Sequence, residues 1–187
     1  MNKRIILIAI LLNVSCIAFS QQASVEEKVY GIQAGFFGIW GHGEYKLHNK
    51  IAMRGELGFD NGFVQNYNGN VWVFLIPAIV LEPKWYYNLG KRQAKSKRID
   101  GNSGNYLSLF LRYHPDWFVI SNVNTGNVIP DISIMPTWGI RRKMGNHLSF
   151  ETAIGFGYRY TFTKRYGYST NTLERDVNFT LRFGYIF

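Results

Sequence analysis

The stretch Val177-Asn178-Phe179-Thr180-Leu181-Arg182-Phe183-Gly184-Tyr185-Ile186-Phe187 decides how this chain is read. Its odd positions, Val177, Phe179, Leu181, Phe183, Tyr185 and Phe187, are all apolar or aromatic. The even positions Asn178, Thr180, Arg182 and Gly184 are polar or small, and Ile186 alone departs. A period of two describes a β-strand with two chemically different faces.

The same rhythm recurs upstream. From Leu148 to Phe162, the residues Leu148, Phe150, Ile154, Phe156, Tyr158, Tyr160 and Phe162 oppose Ser149, Glu151, Gly155, Gly157, Arg159 and Thr161. Ile132, Ile134, Trp138 and Ile140 alternate with Ser133, Thr137 and Arg141, and Leu107, Leu109, Leu111 and Tyr113 with Ser108, Arg112 and His114. Between Ile51 and Phe59, the apolar Ile51, Met53, Leu57 and Phe59 oppose Arg54, Glu56 and Asp60. Val71 to Tyr87 is extended, with Glu82 and Lys84 on its polar face; Pro77 and Pro83 weaken regular pairing there because proline has no N–H. Val29 to Leu47 carries five glycines and reads as two strands meeting near Gly38 to Gly41, or as one long strand kinked at its glycines. No helix period and no repeat beyond the hairpin rhythm is present after the N-terminal segment.

By turn composition, 61–70, 115–130 and 163–176 are loops on one side of the sheet. Short turns at 48–50 and 143–146 fall on the other. A basic connection, 90–104, shares the short-turn side and is longer than its neighbours.

The N-terminus reads as an export signal. Asn2, Lys3 and Arg4 precede the apolar run Ile5 to Leu12, and Ala18-Phe19-Ser20 supplies small residues for cleavage before Gln21. The run is too short and interrupted for a spanning helix of ~20 residues. Acylation at Cys16 is an alternative, although Asn13-Val14-Ser15 matches a lipoprotein approach poorly. Removing 1–20 leaves 167 of the 187 residues, takes away the one cysteine and lowers the formal charge from +9 to +7. That size fits one domain, with 21–27 as a short lead-in and 28–187 as its body. Aromatic content is high at 17% with no second long apolar run, which excludes a helical membrane protein.

The aromatic-ended closing strand resembles that of small bacterial outer-membrane β-barrel proteins, and the resemblance covers residues 28–187. It implies an all-β, antiparallel up-and-down transmembrane barrel that crosses the outer membrane several times. Even strand numbers in this family select eight, with 28–47 counted as two. The partners implied are outer-membrane lipid, lipopolysaccharide and the barrel-assembly machinery, which reads Phe179, Leu181, Phe183, Tyr185 and Phe187. The partner of the outer loops is unnamed. The competing fold is a secreted β-sandwich, which also alternates.

In an eight-stranded barrel the polar faces point inward. They hold Glu44, Lys46, Arg54, Glu56, Glu82, Lys84, Arg112, Arg141, Glu151, Arg159 and Arg182, with Arg182 expected beside Glu44 and Glu151. Four carboxylates against seven cations leave a surplus needing water, Tyr hydroxyls or an anion. Trp40, Tyr45, Trp85, Tyr87, Trp138, Tyr185 and Phe187 sit near strand ends, as interface girdles do.

Little catalytic chemistry is legible. His42, His48, His114 and His147 lack metal-ligand spacing and read as solvated turn or interface residues, so neither metal nor cofactor is expected. Ser108, His114 and Asp116 lie in one region without a recognisable motif. The basic turn Lys91, Arg92, Lys95, Lys97 and Arg98 reads as solvated periplasmic surface, or as a contact for anionic lipid headgroups or cell-wall polymer. Nucleic acid is not an expected partner, because no helix or RNA-binding motif presents the charge. The function expected is a non-enzymatic structural or interaction role with a side-chain-filled lumen. A narrow anion-preferring pore and a rim-site lipid-modifying enzyme are the alternatives, since the scaffold alone does not choose among them.

Overall fold

The structure is a computed structural model that describes residues 23–65, 67, 69–123 and 128–187. The expected signal segment lies outside the described residues. The strands are β1 (Lys28–Gly35), β2 (Gly38–His48), β3 (Ile51–Gln65), β4 (Val71–Trp85), β5 (Asn105–His114), β6 (Ile120–Ser121), β7 (Asp131–Met144), β8 (Leu148–Thr161) and β9 (Thr172–Ile186). Each long strand pairs antiparallel with the next long one, and β9 returns to β1 through Gly31↔Ile186 to Gly35↔Arg182. The result is a closed ring of eight, an up-and-down barrel. The two-residue β6 adds a short pairing high on β4, at Phe74↔Ser121 and Leu75↔Ile120.

Residues 28–47 form two strands, but the chain turns at Phe36-Phe37 rather than at Gly38 to Gly41. Gly38 follows that turn with φ of 146°, and a Cβ there would stand 2.0 Å from the Phe59 carbonyl oxygen. Two expected loops shrink. The β3–β4 ladder runs up to Gln65↔Val71 and the β8–β9 ladder up to Thr161↔Thr172, so 61–65 and 172–176 are strand. Their polar, turn-like composition misleads because a strand held by its hairpin partner needs no apolar face. β4 runs through both prolines; the β4–β5 ladder is interrupted opposite Glu82 and Pro83, where an N–H is missing. The connection after β4 holds a short helix, α1 (Leu89–Gln93), and a 3-10 turn at Asp100–Asn102. Five residues are too few to display a helical period.

The two faces of the strands differ, apart from a buried apolar patch of Val80, Phe110 and Met135 on the inner face. Ile32, Leu57, Leu81, Ile134, Ile154, Phe156 and Leu181 are exposed on the outside, Leu57 at 65%. Inside, Glu44, Arg54 and Arg141 are fully buried at 0%. Tight turns at 49–50 and 145–147 and the 86–104 connection mark one mouth, the turn mouth. Among the described residues the loop mouth carries 36–37, 67, 69–70, 115–123, 128–130 and 162–171.

The turn mouth is plugged. Residues 23–27 fold under the barrel, with Val25 N–H on the Asn49 carbonyl (2.9 Å), Glu26 N–H on Asn102 Oδ1 (2.8 Å) and Gly101 N–H on Glu26 Oε1 (2.5 Å). Val25, Tyr86, Leu89 and Tyr106 bury together there, with Ile99 packed against them. The loop mouth has an uneven wall. Above Gly35↔Arg182, β9 keeps only β8 as a ladder partner, and above Gly38↔Asp60, β3 keeps only β4. The short β1–β2 hairpin thus leaves a notch flanked by Phe36–Phe63 and Phe37–Phe179 ring pairs, with centroids 6.1 and 6.2 Å apart.

One glycine lets the interior close. At Gly139 a Cβ would lie 2.3 Å from the ring of Tyr106, which crosses that backbone to reach the centre of the barrel. Gly139→Val is expected to cost about 1–3 kcal/mol through overpacking. Urea titration should show a lowered midpoint, while Gly55→Ala, facing open space, leaves it nearly in place.

Candidate functional site: the charged interior

Glu151 on β8 is the hub of a layer near the turn mouth. Its carboxylate accepts from Lys84 Nζ (2.5 Å), Tyr106 hydroxyl (2.6 Å), Gln33 Nε2 (3.0 Å) and Arg54 Nη1 (3.1 Å). Glu44 on β2 accepts from Arg54 Nη1 (2.9 Å), Arg141 Nη1, Asn102 Nδ2 (2.7 Å) and the Tyr86 hydroxyl (3.1 Å). Glu56 takes Arg54 Nε and Arg182 Nη1, the latter at 2.8 Å. Glu82 takes the Ser108 hydroxyl at 2.6 Å and faces Lys84 at 3.3 Å. Four carboxylates thus meet four cations, Arg54, Lys84, Arg141 and Arg182.

A second layer lies toward the loop mouth. Asp176 accepts from Arg112 Nη2 (2.9 Å), Arg159 Nη2 (2.8 Å) and the Ser133 hydroxyl (2.7 Å). His114 reaches Asp131 through Nδ1 (3.1 Å) and Asp60 through Nε2 (3.0 Å). Trp40 joins the layers: its Nε1–H donates to Asp60 at 2.7 Å, and the Arg182 guanidinium sits 3.6 Å from its ring centroid. A cavity of about 170 Å³ remains here, lined by Asp60, Asn61, Arg112 and Asp176 inside and by Phe37 and Phe179 at the notch.

All nine side chains named for the charge network, Arg54, Glu56, Glu82, Lys84, Arg112, Arg141, Glu151, Arg159 and Arg182, enter these two layers, Arg159 from the mouth. Arg182 departs from expectation in its partner, which is Glu56 rather than Glu44 or Glu151. Lys46 lies at the turn-side rim and pairs with exposed Glu27 at 2.8 Å. The cation surplus disappears once Asp60, Asp131 and Asp176 are counted. Trp40 belongs to the interior, not to a girdle. His42 and His114 are buried rather than solvated, since their parity on β2 and β5 is that of Glu44 and Arg112.

Gln33, Tyr86 and Tyr106 escape a search for charges, although each shares the inward parity of its strand. Asp176 is hidden in what reads as loop, and nothing in the sequence marks Asn102 as a partner of Glu44. Ser108, His114 and Asp116 do not assemble: Ser108 serves Glu82, and exposed Asp116 accepts from the Tyr166 hydroxyl at 2.5 Å. With a carboxylate against each ring nitrogen, His114 has both nitrogens engaged within the interior.

The closing-strand residues Phe179, Leu181, Phe183, Tyr185 and Phe187 are all exposed on the outside. The basic residues cluster on the plug, Lys91 and Arg92 on α1 and Lys95, Lys97 and Arg98 after it. Arg98 grips Asp100 through Nε (2.9 Å) and Nη2 (2.6 Å), and this hydrogen bonding holds the Asp100 carboxyl below its ordinary range. Among the described residues no group of three His, Cys, Asp or Glu is placed to hold a metal ion. No family model, curated protein or solved structure matches this chain.

Removing one partner of a buried ion cluster leaves the others uncompensated, at about 3–5 kcal/mol. Glu151→Ala is therefore expected to lower the urea midpoint severely, because it strands Lys84 and Arg54. Lys46→Ala, at the exposed pair, should leave the midpoint almost unchanged.

Proposed function

We propose that this chain is an integral outer-membrane β-barrel whose side-chain-filled interior passes little or no solute and whose role is structural or interactive rather than enzymatic. One observation carries the reading: the ring is apolar outside and buries a network of charged side chains inside, together with a small apolar patch of Val80, Phe110 and Met135. A water-soluble domain buries its Leu, Ile and Phe and leaves Glu and Arg in solvent. Hydrocarbon asks for the reverse, and it also asks that backbone N–H and C=O groups be paired within the protein, as a closed ring does over most of its wall.

Supporting detail comes from the outer rim of the turn mouth. Tyr30, Tyr45, Trp85, Tyr87, Trp138 and Tyr185 are all exposed there, and Trp138 Nε1–H donates to the Tyr87 hydroxyl at 2.9 Å. Aromatic rings with a polar handle suit a headgroup boundary. A transmembrane strand needs 9–11 residues; β3, β4, β7, β8 and β9 have 14 or 15, so they are long enough to cross with residues to spare. The balanced interior counts against an anion-preferring pore, and carboxylates at both nitrogens of His114 count against a rim catalyst.

Ile154→Arg separates a lipid-facing wall from a wet one. Facing lipid near mid-span, arginine costs roughly 2–4 kcal/mol, whereas on a solvated face the change stays within about 0.5 kcal/mol. A loss of folding yield into lipid vesicles, seen as loss of the heat-sensitive gel band, is expected; an unchanged, freely soluble protein would sink the proposal. Planar-bilayer recordings of the purified chain should show no resolvable ion-selective current, and a steady anion current would establish the pore instead.

A further inference from the structure

Interior cations here have carboxylate partners. At the outer edge of the plug four of its cations and Arg142 of β7 gather without one. Lys91, Arg92, Lys95, Lys97 and Arg142 line an open cleft of about 500 Å³, and the rest of its lining is Tyr87, Asn88 and Asn105. No carboxylate contributes to it. The nearby Asp100 is occupied by Arg98 and, at 3.4 Å, by Lys143.

Two of the five cations are fixed by backbone. Arg92 donates through Nε (3.1 Å) and Nη2 (2.8 Å) to the Arg98 carbonyl, closing the loop that carries Lys95 and Lys97. Arg142 donates through Nη1 to the carbonyls of Gly104 (2.8 Å) and Arg141 (2.7 Å), and through Nη2 to Asn105 Oδ1 (2.6 Å). These bonds spend donors on neutral acceptors and leave the positive charge unbalanced. Lys91, Lys95 and Lys97 add exposed ammonium groups around the same space. Holding like charges together costs self-repulsion, which a bound anion would relieve.

The setting says which anion. Tyr87 belongs both to the cleft and to the aromatic rim, its ring 6.0 Å from that of Trp85 and its hydroxyl bonded to Trp138. A ligand in the cleft therefore borders directly on the apolar outer wall. We infer that the cleft holds the phosphodiester of an anionic phospholipid headgroup from the leaflet at the turn mouth, with the acyl chains lying on the wall beside Trp85 and Trp138. Zwitterionic lipid carries its own cation and gains less from this site. The inference rests on the proposed membrane location.

The test uses the chain folded into phosphatidylcholine vesicles doped with brominated phosphatidylglycerol, or with brominated phosphatidylcholine as the neutral arm. The heat-sensitive gel band reports insertion, and quenching of tryptophan fluorescence reports lipid at the rim. Preferential quenching by phosphatidylglycerol is expected. The triple variant Lys91→Gln, Lys95→Gln and Lys97→Gln should insert normally and lose that preference by roughly ten- to a hundredfold, given the contribution of each charge near an anionic surface. Lys164→Gln with Arg165→Gln, at the loop mouth, should keep it. Equal quenching by both lipids in an inserted protein, or a preference surviving the triple variant, overturns the inference alone. Displacement of the preference by millimolar inorganic phosphate at constant ionic strength also overturns it, because the site would then be one for a free ion. Failure to insert at all overturns the membrane reading together with it.

Discussion

The buried ion cluster around Glu151 and Glu44 is the constraint on which the rest of the structure depends. Isolated charges at such depth would cost several kcal/mol each, so the cluster exists only when its partners arrive together. Those partners come from all eight long strands: Gln33, Glu44, Arg54, Lys84, Tyr106, Arg141, Glu151 and Arg182. Closing the ring and satisfying the charges are therefore one event. The β1–β9 seam joins strands from opposite ends of the chain, and it brings Gln33 and Arg182 to a cluster otherwise built from β2 to β8.

The same cluster organises what lies beyond the wall. Asn102 reaches Glu44 from the 86–104 connection, tying the plug to the centre of the barrel. Its backbone neighbour Gly101 binds Glu26 and so ties in residues 23–27. With its inner side committed in this way, the plug has only its outer surface on which to carry Lys91, Lys95 and Lys97. Neutrality inside and excess charge outside are two results of one anchoring.

Period two made the strands, their faces and the inward charges legible, because alternation depends only on local backbone geometry. The identity of partners was not legible, since pairing across a lumen depends on ring order and strand stagger. Arg182 illustrates the difference: its inward direction follows from parity, but its place over Trp40 and beside Glu56 follows from β9 meeting β1. Composition misled at 61–65 and 172–176, where polar residues stand on strand held by a neighbour. It misled again at His42 and His114, where the residue type spoke for solvent and the parity spoke for the interior. Parity was the better guide at each of these positions.

The short β1–β2 hairpin makes the apolar belt lopsided. From Tyr30 to Phe36 the outward residues span about 20 Å of strand, whereas from Leu148 to Tyr160 on β8 they span about 40 Å. In the proposed bilayer setting the short wall at β1 and the tall wall at β8 make different demands, and the mismatch would be met by leaning the barrel axis or thinning the lipid on the low side. The edge of β9 above Arg182, which has no β1 partner, adds a direction, because backbone outside the ladder favours the side where water comes closest. The ring would then have a low and a high side in the plane of that proposed membrane, set by where one hairpin stops.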